Sequence, residues 1–306
     1  MVLGDLVLDV VLAPIIDIAV GTDVPGRVRL VQGGSAATTA RWLGRLGARS
    51  SLIAAIGRDG SGHALVSAME ADGVTMRVIR VAGARTGRIG VLVTPDGERS
   101  FVTDRGAAYQ LQPADLKAAW FVGAQALHLP MYSLLDAPLG DAGRRAIERA
   151  RDAGAIISTD LASIGPLMAR GRRFALDLIE QIAPDILLAT ASETEALLGA
   201  EWSERLLDFA EMAVVKRGSR GATAMARGAG RPLRLDVPTV ALAVADTTGA
   251  GDAFNAGFLY GWFAARGAGR SLAVSLRSAT LKGHRTAARH LTTARAEVRL
   301  GTPSRH

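Results

Sequence analysis

The sequence contains no cysteine, and of its 36 basic residues only Lys117, Lys216 and Lys282 are lysine. The first absence excludes a disulfide scaffold, thiolate catalysis and cysteine-ligated zinc or iron–sulfur centres, and it fits a reducing compartment. Each lysine follows leucine or valine, never glycine, so there is no Gly-Lys-Ser/Thr phosphate loop. A Gly-x-Gly-x-x-Gly opening a helix and a Gly-x-Ser-x-Gly nucleophile elbow are absent too. The 33 arginines are scattered with no run of five like charges, so the net charge of +7 builds no basic patch and no nucleic-acid partner is expected. The most apolar stretch, Leu6 to Val20, is broken by Asp9, Pro14 and Asp17. No membrane span or secretory signal is therefore expected, and the expected location is the cytoplasm. The five histidines show no metal-ligand spacing and are expected to be surface or helix-packing residues.

What is present is 306 residues, 49% of them hydrophobic, enough for an ordinary core. Short β-rich runs alternate with helical segments: strand Gln125 to Leu129, helix Ala137 to Ala153, strand Ala155 to Thr159, helix Arg172 to Ile182, strand Asp185 to Leu188, helices within Ser192 to Ala210, strand Met212 to Lys216. This rhythm predicts an α/β fold with a doubly wound, mostly parallel sheet flanked by helices. Val10 to Val31 and Arg77 to Thr103 break it. Both alternate β-branched with polar residues around Gly21, Pro25, Gly83, Gly87 and a Pro95-Asp96-Gly97 turn. They are expected to form a small accessory sheet. With no linker or repeat, residues 1–306 are expected to form one domain.

The chemistry is concentrated in Asp246-Thr247-Thr248-Gly249-Ala250-Gly251-Asp252. A β-rich run, Thr239 to Val244, precedes it, and Phe254, Phe258 and Trp262 follow at helical spacing. A strand, a glycine turn and a helix N-terminus converge unpaired backbone N–H groups on one point, which favours a phosphate. A carboxylate at the mouth of such a site repels phosphate unless it has a task, and for Asp252 that task is general base toward a substrate hydroxyl.

This string resembles the second signature of the ribokinase family, the PfkB-type carbohydrate kinases. Gly33-Gly34-Ser35-Ala36-Ala37-Thr38, then Ala40 to Gly47 ending in Leu-Gly, and Ile56-Gly57-Arg58-Asp59-Gly60-Ser61-Gly62 resemble the first. Similarity extends through Gly4 to Asp9, Asp96 to Arg99 and Arg217 to Gly221. Several ordered motifs are more specific than one glycine loop.

The resemblance implies a ribokinase-like fold with a small β-sheet lid, its strands supplied by about 10–31 and 77–103, and ATP-dependent phosphorylation of a hydroxyl on a small sugar or sugar-like substrate. It implies Asp252 as the base and Gly249, Ala250 and Gly251 as the anion hole. Asp9, Gly33, Gly34 and Thr38 would bind substrate, and Lys216, Gly218, Gly221 and Thr247 the nucleotide. Glu195 would organise Mg2+ through water; a monovalent cation is a further candidate cofactor, and the exposed edge of a lid sheet is a candidate homodimer contact, with neither decided by the sequence. Three positions depart from the family pattern: Thr38, Ala108 and Ser192 stand where relatives carry asparagine, which leaves acceptor identity and metal geometry open. A nucleoside acceptor, an acidic sugar paired by Arg88 or Arg105, and a catalytically silent nucleotide-binding protein are the alternatives.

Overall fold

The computed structural model describes residues 1–96, 98–162, 164–200, 205–228, 230–242 and 246–300. Among them a nine-stranded sheet has the order β13-β12-β11-β10-β9-β8-β1-β4-β5. The strands are β1 (Val2–Leu3), β4 (Ser50–Gly57), β5 (Val74–Val81), β8 (Ala126–Pro130), β9 (Ile156–Asp160), β10 (Ile186–Thr190), β11 (Met212–Lys216), β12 (Ala222–Ala226) and β13 (Leu233–Val237). From β5 to β11 every pairing is parallel, and β12 and β13 add an antiparallel edge. The chain moves from β1 outward to β4 and β5, then returns to β8 on the other side of β1 and continues to β11. That reversal opens a crevice beyond the carboxyl ends of β1 and β8, the place where open α/β sheets bind ligands.

Strand side chains alternate between two cores, as a pleated sheet covered on both faces requires. Val2, Leu188 and Val214 face a cluster supplied by α1 (Ser35–Arg45), α2 (Gly60–Ala71), α7 (Ala250–Gly267) and α8 (Leu272–Thr292). Leu3, Leu187 and Val215 face the other, supplied by α3 (Leu139–Asp152), α4 (Ile164–Met168), α5 (Arg172–Ile182) and α6 (Ala191–Leu198).

A separate four-stranded sheet, ordered β3-β2-β6-β7, is built from β2 (Val7–Pro14), β3 (Gly26–Gly33), β6 (Thr86–Val93) and β7 (Arg99–Gly106). Its inner face buries Val7, Val11, Val31, Ile89 and Val91.

The expected accessory strands thus exist, but Val74–Val81 is not among them. It pairs in parallel with β4 at the edge of the main sheet. Thr75, Arg77 and Arg80 are tolerated there because an edge strand is covered incompletely, and the same polarity made it read as accessory. The antiparallel pair β12 and β13 is additional to the expected strands. Thr239 to Leu242 forms no strand, because after Pro238 this run becomes the wall of a cavity; Ala243 and Val244 lie outside the described residues, as do Gly97 and residues 201–204 of the expected helices. The helix from Ser192 ends at Leu198, where Gly199 adopts φ +83°. No helix among the described residues is long and apolar enough to cross a membrane.

Candidate active site

The polar side chains that matter stand beyond the carboxyl ends of the strands: Asp5 after β1, Tyr132 after β8, Asp160 ending β9, Thr190 ending β10 and Lys216 ending β11. The N-terminus of α7 points into the same crevice. Gly249 is the residue before α7 and has φ +80°, a left-handed conformation that glycine adopts without strain. The N–H of Ala250 donates to Thr247 O at 3.2 Å, so Ala250 closes the turn. The N–H groups of Gly249, Gly251 and Asp252 meet no acceptor among the described residues, and these three donors are the ones an anion can use.

Asp252 lies in the first turn of α7. Its Oδ1 accepts from Ser35 Oγ, the first residue of α1, at 2.6 Å, and Thr39 Oγ1 donates to its backbone carbonyl at 3.4 Å. The residue is half-buried in the crevice. Burial pushes its carboxyl from 3.8 up to about 8; the Ser35 bond and the Lys216 ammonium oppose that rise, and the Asp160 and Asp5 carboxylates add to it. A carboxyl so placed keeps its proton to higher pH than usual and, once ionised, is a stronger base toward a hydroxyl.

Below the turn lies a buried charged cluster. Lys216 Nζ is 2.5 Å from Asp160 Oδ2 and donates to Asn255 Oδ1 at 3.2 Å, while Asn255 Nδ2 also donates to Asp160. Burial by itself would raise the Asp160 carboxyl; Lys216 and the Asn255 amide outweigh it and hold Asp160 below the usual range. Lys216 Nζ lies within 3.3 Å of where a Gly251 side chain would begin, which places its charge beside the anion turn. Sequence reasoning found Lys216 but not Ser35, Asp160 or Asn255. Two signals were available: Asn255 follows Asp252 by three residues on one helix, and a lysine ending an apolar strand needs a buried counter-ion.

At the start of α1, a side chain on Gly33 would overlap the Asp9 carboxylate, and one on Gly34, at φ +97°, would stand 2.5 Å from Asp5 O. The glycine pair therefore lets both aspartates approach the backbone that opens α1. Asp9 is paired with Arg295 Nη2 at 2.8 Å, and the same nitrogen donates to Gln32 O. Burial raises the Asp9 carboxyl and Arg295 opposes it. Arg295 arrives because the segment after α8 lies along β3, with Val298 N donating to Leu30 O. The Thr38 hydroxyl donates to Gly34 O at 2.9 Å, across the first turn of α1. Arg105 bonds Asp5 Oδ2 at 3.0 Å and lies 4.5 Å over the Tyr132 ring, whose hydroxyl donates to Asp5 Oδ1. Asp5 thereby balances the Arg105 charge, so an acidic sugar would compete with that carboxylate for it.

Across the turn lies a cavity of about 720 Å3. Thr247, Lys216, Gly251 and the Gly218–Gly221 turn line one end, and Thr239 to Leu242, Phe254, His284 and Leu291 make an apolar end. That combination suits a nucleotide, with phosphates toward the glycine turn and a base between apolar walls. The nucleotide residues expected from sequence come together here. Thr247 Oγ1 also accepts from Arg99 Nη2 of β7 at 3.2 Å, and Arg99 Nε lies 3.6 Å from Asp246, so the small sheet reaches the turn.

No group of three or more histidines, aspartates or glutamates able to hold a metal occurs among the described residues. The carboxylates at hand fit an ion carried in by nucleotide phosphates: Glu195 on the cavity wall, and Glu193, which feels both Asp160 and Lys216. Mg2+ prefers such an arrangement of one or two carboxylates, phosphate oxygens and retained water. Glu193 escaped the sequence reading, which placed the metal acid at Glu195. Its carboxylate accepts from Thr190 N in a capping box at the start of α6.

A helix start with three unpaired N–H donors, carrying a carboxyl in its own first turn beside a nucleotide-sized cavity, has the parts a phosphotransferase site needs. The pfkB family carbohydrate kinase model matches residues 1–298, and the chain belongs to that family. Fructokinase-1 of Oryza sativa subsp. japonica is 31% identical over 238 residues, covering 72% of this chain and 71% of that one. Probable fructokinase-4 of Arabidopsis thaliana is 28% identical over 248 residues, 76% of this chain and 73% of its own. The structure of adenosine kinase from Sinorhizobium meliloti superposes with a TM-score of 0.81 at 25% identity, over 95% of this chain and 93% of that one. A putative ribokinase II from E. coli, in complex with ATP and Mg2+, shares the fold with a TM-score of 0.76 at 23% identity over 92% and 90%. The chain is an ATP-dependent carbohydrate kinase, working with ATP and Mg2+ on a sugar.

Proposed function

We propose that the acceptor is a neutral ketohexose of the fructose type and that Asp252 removes the proton from its reacting hydroxyl. The observation that carries this reading is the position of the Asp252 carboxyl, held by Ser35 at the mouth of three unpaired N–H donors. The sugar oxygen forms a bond to the terminal phosphorus of ATP, the bond to the bridging oxygen of ADP breaks, and the proton passes to Asp252. The N–H groups of Gly249, Gly251 and Asp252 receive charge on the moving phosphoryl oxygens, and Lys216 adds a fixed positive charge beside them. Bound with the nucleotide, Mg2+ neutralises phosphate charge; Glu195 and Glu193 would hold its water shell.

Asp9 and the Gly33–Gly34 backbone would bind sugar hydroxyls, with Arg295 fixing the Asp9 carboxylate. A neutral sugar is favoured because Arg105 is committed to Asp5, and a ketose because the curated relatives are named fructokinases. A nucleoside acceptor is the second reading, supported by the likeness to an adenosine kinase. ADP release measured with ATP, Mg2+ and a panel of fructose, ribose, 2-keto-3-deoxygluconate and adenosine decides between them. Fructose should give the highest kcat/KM, and adenosine as the best acceptor would overturn the ketose reading.

We also propose a cytoplasmic enzyme that pairs with a second copy through the small sheet. Ile15, Ile16, Val20, Val28, Phe101 and Val102 are exposed on that sheet and its β2–β3 loop, and both β3 and β7 are edge strands. Light scattering should report a dimer that Ile16→Glu with Val102→Glu converts to monomer; a wild-type monomer at micromolar concentration would refute it.

A further inference from the structure

We propose that His290 is a positioning residue for phosphoryl transfer: as a neutral imidazole between α1 and the anion turn, it fixes the direction in which the Gly249 N–H faces.

The geometry assigns its protonation. Trp42 Nε1 is 2.9 Å from His290 Nδ1, and an indole N–H only donates, so Nδ1 is an acceptor and carries no proton. His290 Nε2 is 2.7 Å from the Thr248 carbonyl, which only accepts, so Nε2 carries the hydrogen. The two partners select one tautomer, and burial pushes the imidazole's pKa down, in keeping with the neutral form. Trp42 is itself buried, and its ring meets the imidazole edge-on at 5.8 Å.

The consequence follows from peptide geometry. In a trans peptide the C=O of one residue and the N–H of the next point in opposite directions. Holding the Thr248 carbonyl toward His290 therefore turns the Gly249 N–H away from it, and that N–H is one of the three donors without a protein acceptor. His290 Nε2 also stands 3.0 Å from where a Gly249 side chain would begin, so the imidazole backs the residue with the left-handed φ. Ser35 and Thr39 of α1 bind Asp252, and Trp42 of the same helix reaches the turn through His290. One helix thus sets both the base and the donor opposite it.

This rests on the reading of the glycine turn as the anion hole. Removing a whole oxyanion donor typically costs 10²- to 10³-fold in kcat; loosening its direction should cost about 10- to 100-fold. His290→Phe should lower kcat by that factor and leave KM for sugar and ATP within about threefold. His290→Gln, whose amide can accept from Trp42 and donate to Thr248, should return kcat to within about fivefold of wild type. A His290→Phe enzyme with unchanged kcat overturns the proposal, as does a folded His290→Gln enzyme as slow as His290→Phe, which would mean packing alone. Should His290→Phe fail to fold, Trp42→Phe carries the test: kcat reduced several-fold at constant KM supports the proposal, and unchanged kcat overturns it. Asp252→Asn measured alongside separates the two readings. Near-normal turnover of that variant defeats the assignment of the base, whereas a slow Asp252→Asn with a normal His290→Phe defeats only the role of His290.

Discussion

Ser35 Oγ donates a 2.6 Å hydrogen bond to Asp252 Oδ1, joining residues 217 positions apart at the two helix starts that face the crevice. The bond favours the ionised carboxylate and opposes the rise that burial imposes. Ser35→Ala should therefore raise the Asp252 pKa further. A base must be deprotonated to act, so the rising limb of kcat/KM against pH should move to higher pH, with turnover several-fold lower at pH 7 and largely restored near pH 9. An unshifted limb would separate Ser35 from the base.

Stability should carry the opposite pH signature. Folded Asp252 holds its proton up to about pH 8, while an ordinary carboxyl releases it near 3.8. Between those values the native state binds the extra proton, so this residue's contribution is full below about pH 4 and is lost as pH rises toward 8. Asp252→Asn should raise Tm relative to wild type by several degrees at pH 8.5 and by little at pH 4, measured by calorimetry across pH.

Lys216 and Asp160 have side chains 11% and 2% exposed, so each depends on the other for its charge. Lys216→Met leaves a buried, unpaired carboxylate and should cost about 3–5 kcal/mol of stability. Adding Asp160→Asn should recover most of that in denaturant unfolding while KM for ATP stays raised, since the charge beside Gly251 is still missing.

Gly33→Ala forces a methyl group into the Asp9 carboxylate. The sugar KM should rise at least about tenfold with the nucleotide affinity unchanged, the pattern of lost acceptor binding. An equal loss in ATP affinity would show that the glycine pair serves the whole crevice.

The glycine turn, Asp252 and the accessory strands were legible in the sequence because they are local: a Gly-rich string before a helical period, and polar–apolar alternation between turns. Lys216 was legible only as a residue, since Asp160 is brought to it by parallel pairing across β9, β10 and β11 and Asn255 by α7 lying over the strand ends. His290 read as a packing histidine because its meaning lies in Trp42 and Thr248, 248 and 42 positions away. Thr38 was legible by its position after the glycine pair, but not the bond its hydroxyl gives to Gly34 O across its own helix turn. Arg77 to Val81, the greater part of β5, read as accessory because an exposed edge strand of a parallel sheet carries the same alternation as a half-covered antiparallel one.

Asp252 is proposed to take the proton from the sugar hydroxyl, and Asn at that position keeps the shape while removing the acceptor charge. The decisive measurement is the turnover of Asp252→Asn with the best acceptor of the panel, by ADP release, alongside ATP binding by calorimetry. Turnover should fall by about 10²-fold or more with ATP affinity retained; an Asp252→Asn enzyme that turns over near the wild-type rate is incompatible with Asp252 as the base.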